Sequence, residues 1–186
     1  MEKAKLAEKG SRLYTRTLVD YLIKLRGEKS QYTPINVRGV IFNSLGVFLS
    51  IGLIVFLSNL YTLPLLVPSL GATAILLYSA WDSPMSQPRN IILGHMVSAT
   101  AGVVTYYFMG IQWWSIALAV SLAIVLMTLT RSLHPPGGAT AFIGVYTGQS
   151  FIYIFTPVAL GAIFITVISA LIINISPDRK YPYYWL

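Results

Sequence analysis

Leu133-His-Pro-Pro-Gly-Gly-Ala-Thr-Ala141 decides how this chain folds, and Pro68-Ser-Leu-Gly-Ala-Thr-Ala74 repeats its pattern. With Pro135 set on Pro68, a shift of 67 residues, five of seven positions are identical. In each stretch prolines interrupt any helix, and a Gly-Ala-Thr-Ala run then allows a short one to start. The surroundings are apolar: Val40–Leu60, Ile91–Met109, Ile111–Thr130 and Thr156–Ile175 each approach the ~20 residues that cross a bilayer. The same shift pairs Gly94 with Gly161 and Gly102 with Ser169, and lays the first two runs over the last two. The expected fold is therefore an all-α, polytopic membrane protein. It is built from two helix–broken helix–helix repeats, 40–109 and 110–176.

Composition agrees. Of 186 residues 55% are apolar and only 10% charged, against about a quarter charged in an average soluble domain. The mean hydropathy is +0.68. Such a chain cannot cover a water-facing surface, and it is too apolar to be disordered. With no cysteine there are no disulfides, thiolate metal sites or Fe–S clusters.

Charge is concentrated at one end. Residues 1–38 hold nine of thirteen Lys and Arg (Lys3, Lys5, Lys9, Arg12, Arg16, Lys24, Arg26, Lys29, Arg38) against four acidic residues. This segment reads as a basic cytoplasmic arm, in which Leu18, Tyr21, Leu22 and Leu25 form the apolar stripe of an amphipathic helix lying on membrane lipid. The transmembrane domain is expected over 39–176 and a cytoplasmic aromatic tail over 177–186. The first apolar run begins near residue 39, so no secretory leader is expected. The net +7 flanks an apolar body rather than decorating a folded face, so no nucleic-acid partner is expected.

If the broken segments cross the membrane, each repeat has three crossings and the second is inverted. Both termini and every charged residue then face the cytoplasm. If the segments dip in and return, there are four spans, and Arg89 and Arg131 fall outside. The positive-inside bias favours three plus three.

Non-helical backbone at membrane depth survives only where protein buries it or a watery cavity is lined by it. Crossing segments would bring both short-helix starts, Ser69 to Ala72 and Gly137 to Ala139, to the midplane. There their N–H groups and dipoles favour an anion. Gly71, Ala72, Gly137 and Gly138 would offer backbone donors, with Ala139 beside them, and Ser69, Thr73 and Thr140 hydroxyls would line the site. Arg131 lies about five extended residues, roughly 16 Å, from Pro136, placed to attract an anion or to anchor a helix end. His134 and His95 can donate to an anion or carry a proton. No metalloprotease, serine-hydrolase or nucleotide-loop motif is present, and no pair of carboxylates lies within the spans. Neither an enzyme nor a metal or other cofactor is expected. A small anion, or a neutral solute, is the better-supplied ligand. The small membrane body suggests a homo-oligomer.

The ordered blocks Gly71-Ala-Thr-Ala74, Asp82-Ser-Pro-Met-Ser-Gln-Pro-Arg89, Gly94-His95 and Leu133-His-Pro-Pro-Gly-Gly-Ala-Thr-Ala141 resemble the HPP family of integral membrane proteins, named for His134-Pro135-Pro136. The resemblance covers about residues 34–176 and leaves the arm and the tail outside. It implies four transmembrane spans, which conflicts with six crossings. It also implies nitrite as the transported anion and a bacterial, cyanobacterial-type inner membrane.

Overall fold

The computed structural model describes residues 18–27 and 34–185. Two units are described separately, one ending at Ile35 and one comprising Asn36–Leu186.

In the first unit, helix α1 spans Leu18–Leu25, and Tyr21, Leu22 and Leu25 on its apolar stripe are exposed. The basic residues Lys3, Lys5, Lys9, Arg12, Arg16 and Lys29 of the expected arm lie outside the described residues.

The second unit is all-helical, with no strand among the described residues. Its elements are α2 (Val37–Tyr61), α3 (Ser69–Ser79), a 3₁₀ turn at Pro84–Ser86, α4 (Pro88–Met109), α5 (Trp113–Leu129), α6 (Gly137–Tyr146) and α7 (Leu160–Ile173). A 3₁₀ turn (Phe151–Ile154) and a wide turn (Phe155–Ala159) lead into α7, and the coil is kinked between them at Thr156, whose backbone is extended (φ −137°, ψ 120°). Among the described residues three helical stretches are long and apolar enough to cross a membrane: Val37–Tyr61, Pro88–Met109 and the kinked Phe151–Ile173. The chain is an integral membrane protein.

The third expected span, Ile111–Thr130, forms a helix shorter than its apolar run. At its start, Gly110 adopts φ +66°, and Gln112 and Ser115 form a reciprocal capping box. At its end, Ser132 N–H donates to Met127 O (2.8 Å) and Arg131 N–H to Thr128 O (3.1 Å). That is a Schellman cap, with Arg131 in the left-handed position at φ +53°. These caps leave α5 with 17 residues, about 25 Å of helix.

Both proline-bearing stretches break as expected. Thr62 (φ 51°) ends α2 and Arg131 ends α5, each turning the chain into non-helical backbone. Proline biases the preceding residue away from helical ψ. Leu63, Val67 and His134 accordingly lie outside helices, and α3 and α6 start immediately after Pro68 and Pro136.

Close backbone approach holds these stretches in place. A Cβ on Gly94 of α4 would lie 2.7 Å from Ser132 O, and one on Gly161 of α7 would lie 2.7 Å from Leu65 O. At Gly102, a Cβ would meet Ala141 O of α6 at 2.6 Å. Without an apolar solvent effect between helices in lipid, such small-residue contacts are what let helices associate. Helices α4, α5 and α6 meet over Ala101, Ala119, Ala123, Met127, Ala141 and Val145, while Ile54, Leu65, Leu77, Tyr78, Ile91 and Ile165 centre a second cluster.

The aromatic tail is packed against the helices. Tyr181 is buried, its hydroxyl donates to Ser86 O (2.7 Å), and its backbone N–H donates to Asn174 Oδ1 (3.0 Å). Tyr183 N–H donates to Gln87 Oε1 (2.9 Å), and the Arg179 guanidinium lies over the rings of Trp81 (4.1 Å) and Phe42 (4.5 Å).

Candidate functional site

The two short helices and α4 meet at a buried polar cluster. Thr73 lies one turn into α3, Thr140 one turn into α6, and His95 on the face of α4 between them. Thr73 Oγ1 is 2.8 Å from His95 Nε2, and Thr140 Oγ1 is 2.7 Å from His95 Nδ1. The imidazole is thus clamped at both nitrogens by hydroxyls 67 residues apart in the chain. His134 joins from the stretch after α5: its Nε2 is 3.0 Å from Thr73 Oγ1 and its Nδ1 is 2.8 Å from Met85 O. Ser69 Oγ lies 2.8 Å from Thr140 Oγ1, and the Tyr153 hydroxyl donates to Thr140 O (3.3 Å). The two imidazoles are packed edge to face at 4.8 Å. All six side chains are buried, with Thr73, His134 and Thr140 at 0% exposure.

Local sequence explains the placement. Gly94 admits the His134 Cβ, since its own Cβ would lie 2.7 Å from that atom. Gly137 is closed in similarly, a Cβ there falling 2.5 Å from Ser98 Oγ. Asn90 then ties the same stretch to α4 by donating to Leu133 O (3.0 Å).

Of the residues expected from sequence, Ser69, Thr73, His95, His134 and Thr140 form this cluster. Gly137 is buried beside it but acts through its lack of a side chain. Gly71 is half-buried with nothing within 4 Å of a Cβ, Gly138 is half-buried near Val120, and Ala72 and Ala139 are exposed.

The backbone donors at the helix starts differ from expectation. Leu70 and Gly71 N–H groups donate to Val67 O and Pro68 O, and those of Gly137, Gly138 and Ala139 donate to His134 O, Pro135 O and Pro136 O. The tight turns made by the prolines thus engage these N–H groups, and side chains form the polar centre. Arg131 is also outside it. The residue is exposed, and its backbone N–H caps α5.

Sequence reading missed Met85, whose carbonyl holds His134, and Tyr153. It also missed Ser98 and Thr105, buried on α4 with hydroxyls that have no hydrogen-bond partner. The spacing of Gly94, His95, Ser98, Gly102 and Thr105 along one helix face carried that signal. Among the described residues no group of His and acidic side chains could hold a metal ion.

The family model described as "HPP, transmembrane region" matches residues 32–182. The chain belongs to the HPP family. The match extends past residue 176, so residues 177–182 of the packed tail lie within the family region and 183–186 do not. Two relatives come from Dictyostelium discoideum and are described only as transmembrane proteins, DDB_G0273707/DDB_G0273361 and DDB_G0269096. They are 45% and 41% identical over 128 residues, 64% of this chain in each case. The chain spans less than half the length of these curated relatives, 41% and 45% respectively. Both come from a eukaryote and lend no support to the expected bacterial inner membrane. No solved structure matches the chain.

Proposed function

We propose that this HPP-family domain carries a small inorganic anion across the membrane, with nitrite the first candidate, and is not an enzyme. The carrying observation is the His95 imidazole clamped between Thr73 and Thr140 where two broken helices meet inside an apolar bundle. Ionisable side chains within a membrane bundle mark ion and substrate paths more often than they mark structure. The unpartnered hydroxyls of Ser98 and Thr105 extend polarity along α4, which about 15 Å of helix rise carries from His95 to Thr105. Ser69, Thr73, His95, His134 and Thr140 would contact the anion.

We place the two repeats in inverted, three-plus-three order with both termini cytoplasmic. Fully extended, a stretch of seven residues plus α3 or α6 reaches at most about 40 Å against a ~30 Å hydrocarbon core, and turns such as Leu65 N–H to Leu63 O shorten it. The 67-residue register supports the repeat: Leu65 O packs on Gly161, and its counterpart Ser132 O packs on Gly161's counterpart Gly94. Each repeat thereby receives the broken stretch of the other. A homo-oligomer would complete the surroundings of so small a body.

The test is flux into liposomes containing purified protein, with nitrite, nitrate, formate and chloride compared. Nitrite uptake above empty liposomes supports the reading, and no flux of any of the four refutes it. The exposed stripe of α1 (Tyr21, Leu22, Leu25) favours a second reading, a membrane scaffold whose basic arm binds lipid or a protein partner. That reading requires vesicle binding without flux.

A further inference from the structure

The hydrogens in the buried cluster can be assigned from one end. A carbonyl only accepts, so His134 Nδ1 carries the hydrogen that is donated to Met85 O (2.8 Å). In a neutral imidazole Nε2 then accepts, and Thr73 donates its hydroxyl hydrogen there (3.0 Å). With that hydrogen committed, His95 Nε2–H donates to Thr73 Oγ1 (2.8 Å), leaving His95 Nδ1 to accept from Thr140 (2.7 Å). Ser69 in turn donates to Thr140 Oγ1 (2.8 Å). Every link points the same way, from Ser69 through Thr140, His95 and Thr73 to His134.

We infer that this one-way chain is a proton relay serving the proposed transport site, with His134 as the terminal proton acceptor and Thr73 as its gate. It rests on reading the cluster as that site and adds the proton as a co-transported species. A weak acid HA at Ser69 gives its proton to the Ser69 hydroxyl oxygen, and the Ser69 hydrogen passes to Thr140 Oγ1. Hydrogens then pass from Thr140 to His95 Nδ1, from His95 Nε2 to Thr73 Oγ1, and from Thr73 to His134 Nε2. The products are A⁻ and an imidazolium at His134, whose Nδ1–H still donates to Met85 O; no electron changes hands.

Thr73 can gate the relay because its hydroxyl has a second acceptor, Ser69 O at 3.2 Å. Rotated there, it stops donating to His134 Nε2, and its oxygen can accept from the imidazolium instead. The groups facing the relay are Ser69 and Thr73 from α3, His95 from α4, Met85 O from the 3₁₀ turn, Thr140 from α6 and Tyr153 from the turn before α7. Among the described residues, no carboxylate, Lys or Arg hydrogen-bonds any of them. Among the described residues, the titratable groups at the relay are the two histidines, 4.8 Å apart, and the Tyr153 phenol, which donates to Thr140 O (3.3 Å).

Two measurements on the full-length protein in liposomes test this. The first reads the imidazole ¹⁵N resonances near neutral pH, assigned with His95→Gln and His134→Gln. The expected tautomers are Nδ1–H for His134 and Nε2–H for His95, and the reverse pair overturns the relay. The second records luminal pH with a trapped dye under a nitrite gradient and under a pH gradient alone. Thr73→Val should slow proton movement on the order of a hundredfold and flatten the pH profile of uptake, while Thr73→Ser should restore both. Equal proton movement and an equal pH profile in the Val and Ser variants overturn the relay. If nitrite never crosses but the tautomers and the Thr73 dependence under a pH gradient hold, the anion reading fails and the relay stands.

Discussion

Replacing Thr140 with Val removes one hydroxyl at nearly constant volume and isolates what the cluster contributes to folding. Two links disappear, the donation to His95 Nδ1 (2.7 Å) and the acceptance from Ser69 (2.8 Å). His95 cannot repair the loss alone. If it keeps its hydrogen on Nε2, its Nδ1 is an orphaned acceptor at 1% exposure. If it moves the hydrogen to Nδ1, that donor faces a methyl group and Thr73 must turn to serve Nε2, which orphans His134 Nε2 instead. A buried polar group left unpaired costs about 1–3 kcal/mol, while side-chain hydrogen bonds inside membrane bundles average only about 0.6 kcal/mol with a ceiling near 1.7. The lower figure reflects unfolded states that find other partners, so the expected loss is about 1–2 kcal/mol, a five- to thirtyfold shift in the folding equilibrium. Equilibrium unfolding in mixed micelles reads it directly. Thr140→Ser retains the hydroxyl and loses one buried methyl group, so it should cost up to about 0.8 kcal/mol and less than Val. A Val variant as stable as the parent, or a Ser variant as unstable as Val, would refute the clamp as a stabilising network.

Gly137→Ala should sharply reduce folded yield in detergent, because the new Cβ would lie 2.5 Å from Ser98 Oγ and 3.1 Å from Gly94 O. Gly71→Ala, with nothing within 4 Å, should be neutral or gain up to about 1 kcal/mol from helix propensity. Arg131→Gly should raise the melting temperature, since the left-handed C′ position at φ +53° costs an L-residue about 1 kcal/mol that glycine avoids. Burial pushes the Tyr181 phenol above its ordinary value of 10.0. Its contribution to stability is therefore full below pH 10 and declines as pH rises further towards the raised folded value. Melting temperature should fall less steeply above pH 10 in Tyr181→Phe than in the parent, and identical slopes would show that this phenol does not report the packed tail.

Much of this protein was legible in one dimension. Hydropathy run length and proline punctuation are local properties, so the long helices and both interruptions followed from residues near each of them. The pairing of Pro68–Ala74 with Pro135–Ala141 likewise needed only an alignment, and it brought Thr73, Thr140 and the histidines under suspicion. The tertiary structure decided which polar groups meet. Thr100, Thr128 and Thr166 return their hydroxyls to their own helices, whereas Thr140 hydrogen-bonds His95 across helices; no periodicity separates these cases. Composition records the charge of Arg131, but only the structure shows its left-handed backbone closing the end of α5. The engaged N–H groups at Gly137 and Gly138 depend on how two prolines tighten the turn before them. Short-range sterics and apolar run length are written along the chain, but hydrogen-bond partners are chosen by backbones that approach at Gly94, Gly102 and Gly161, and that choice exists only once the helices pack.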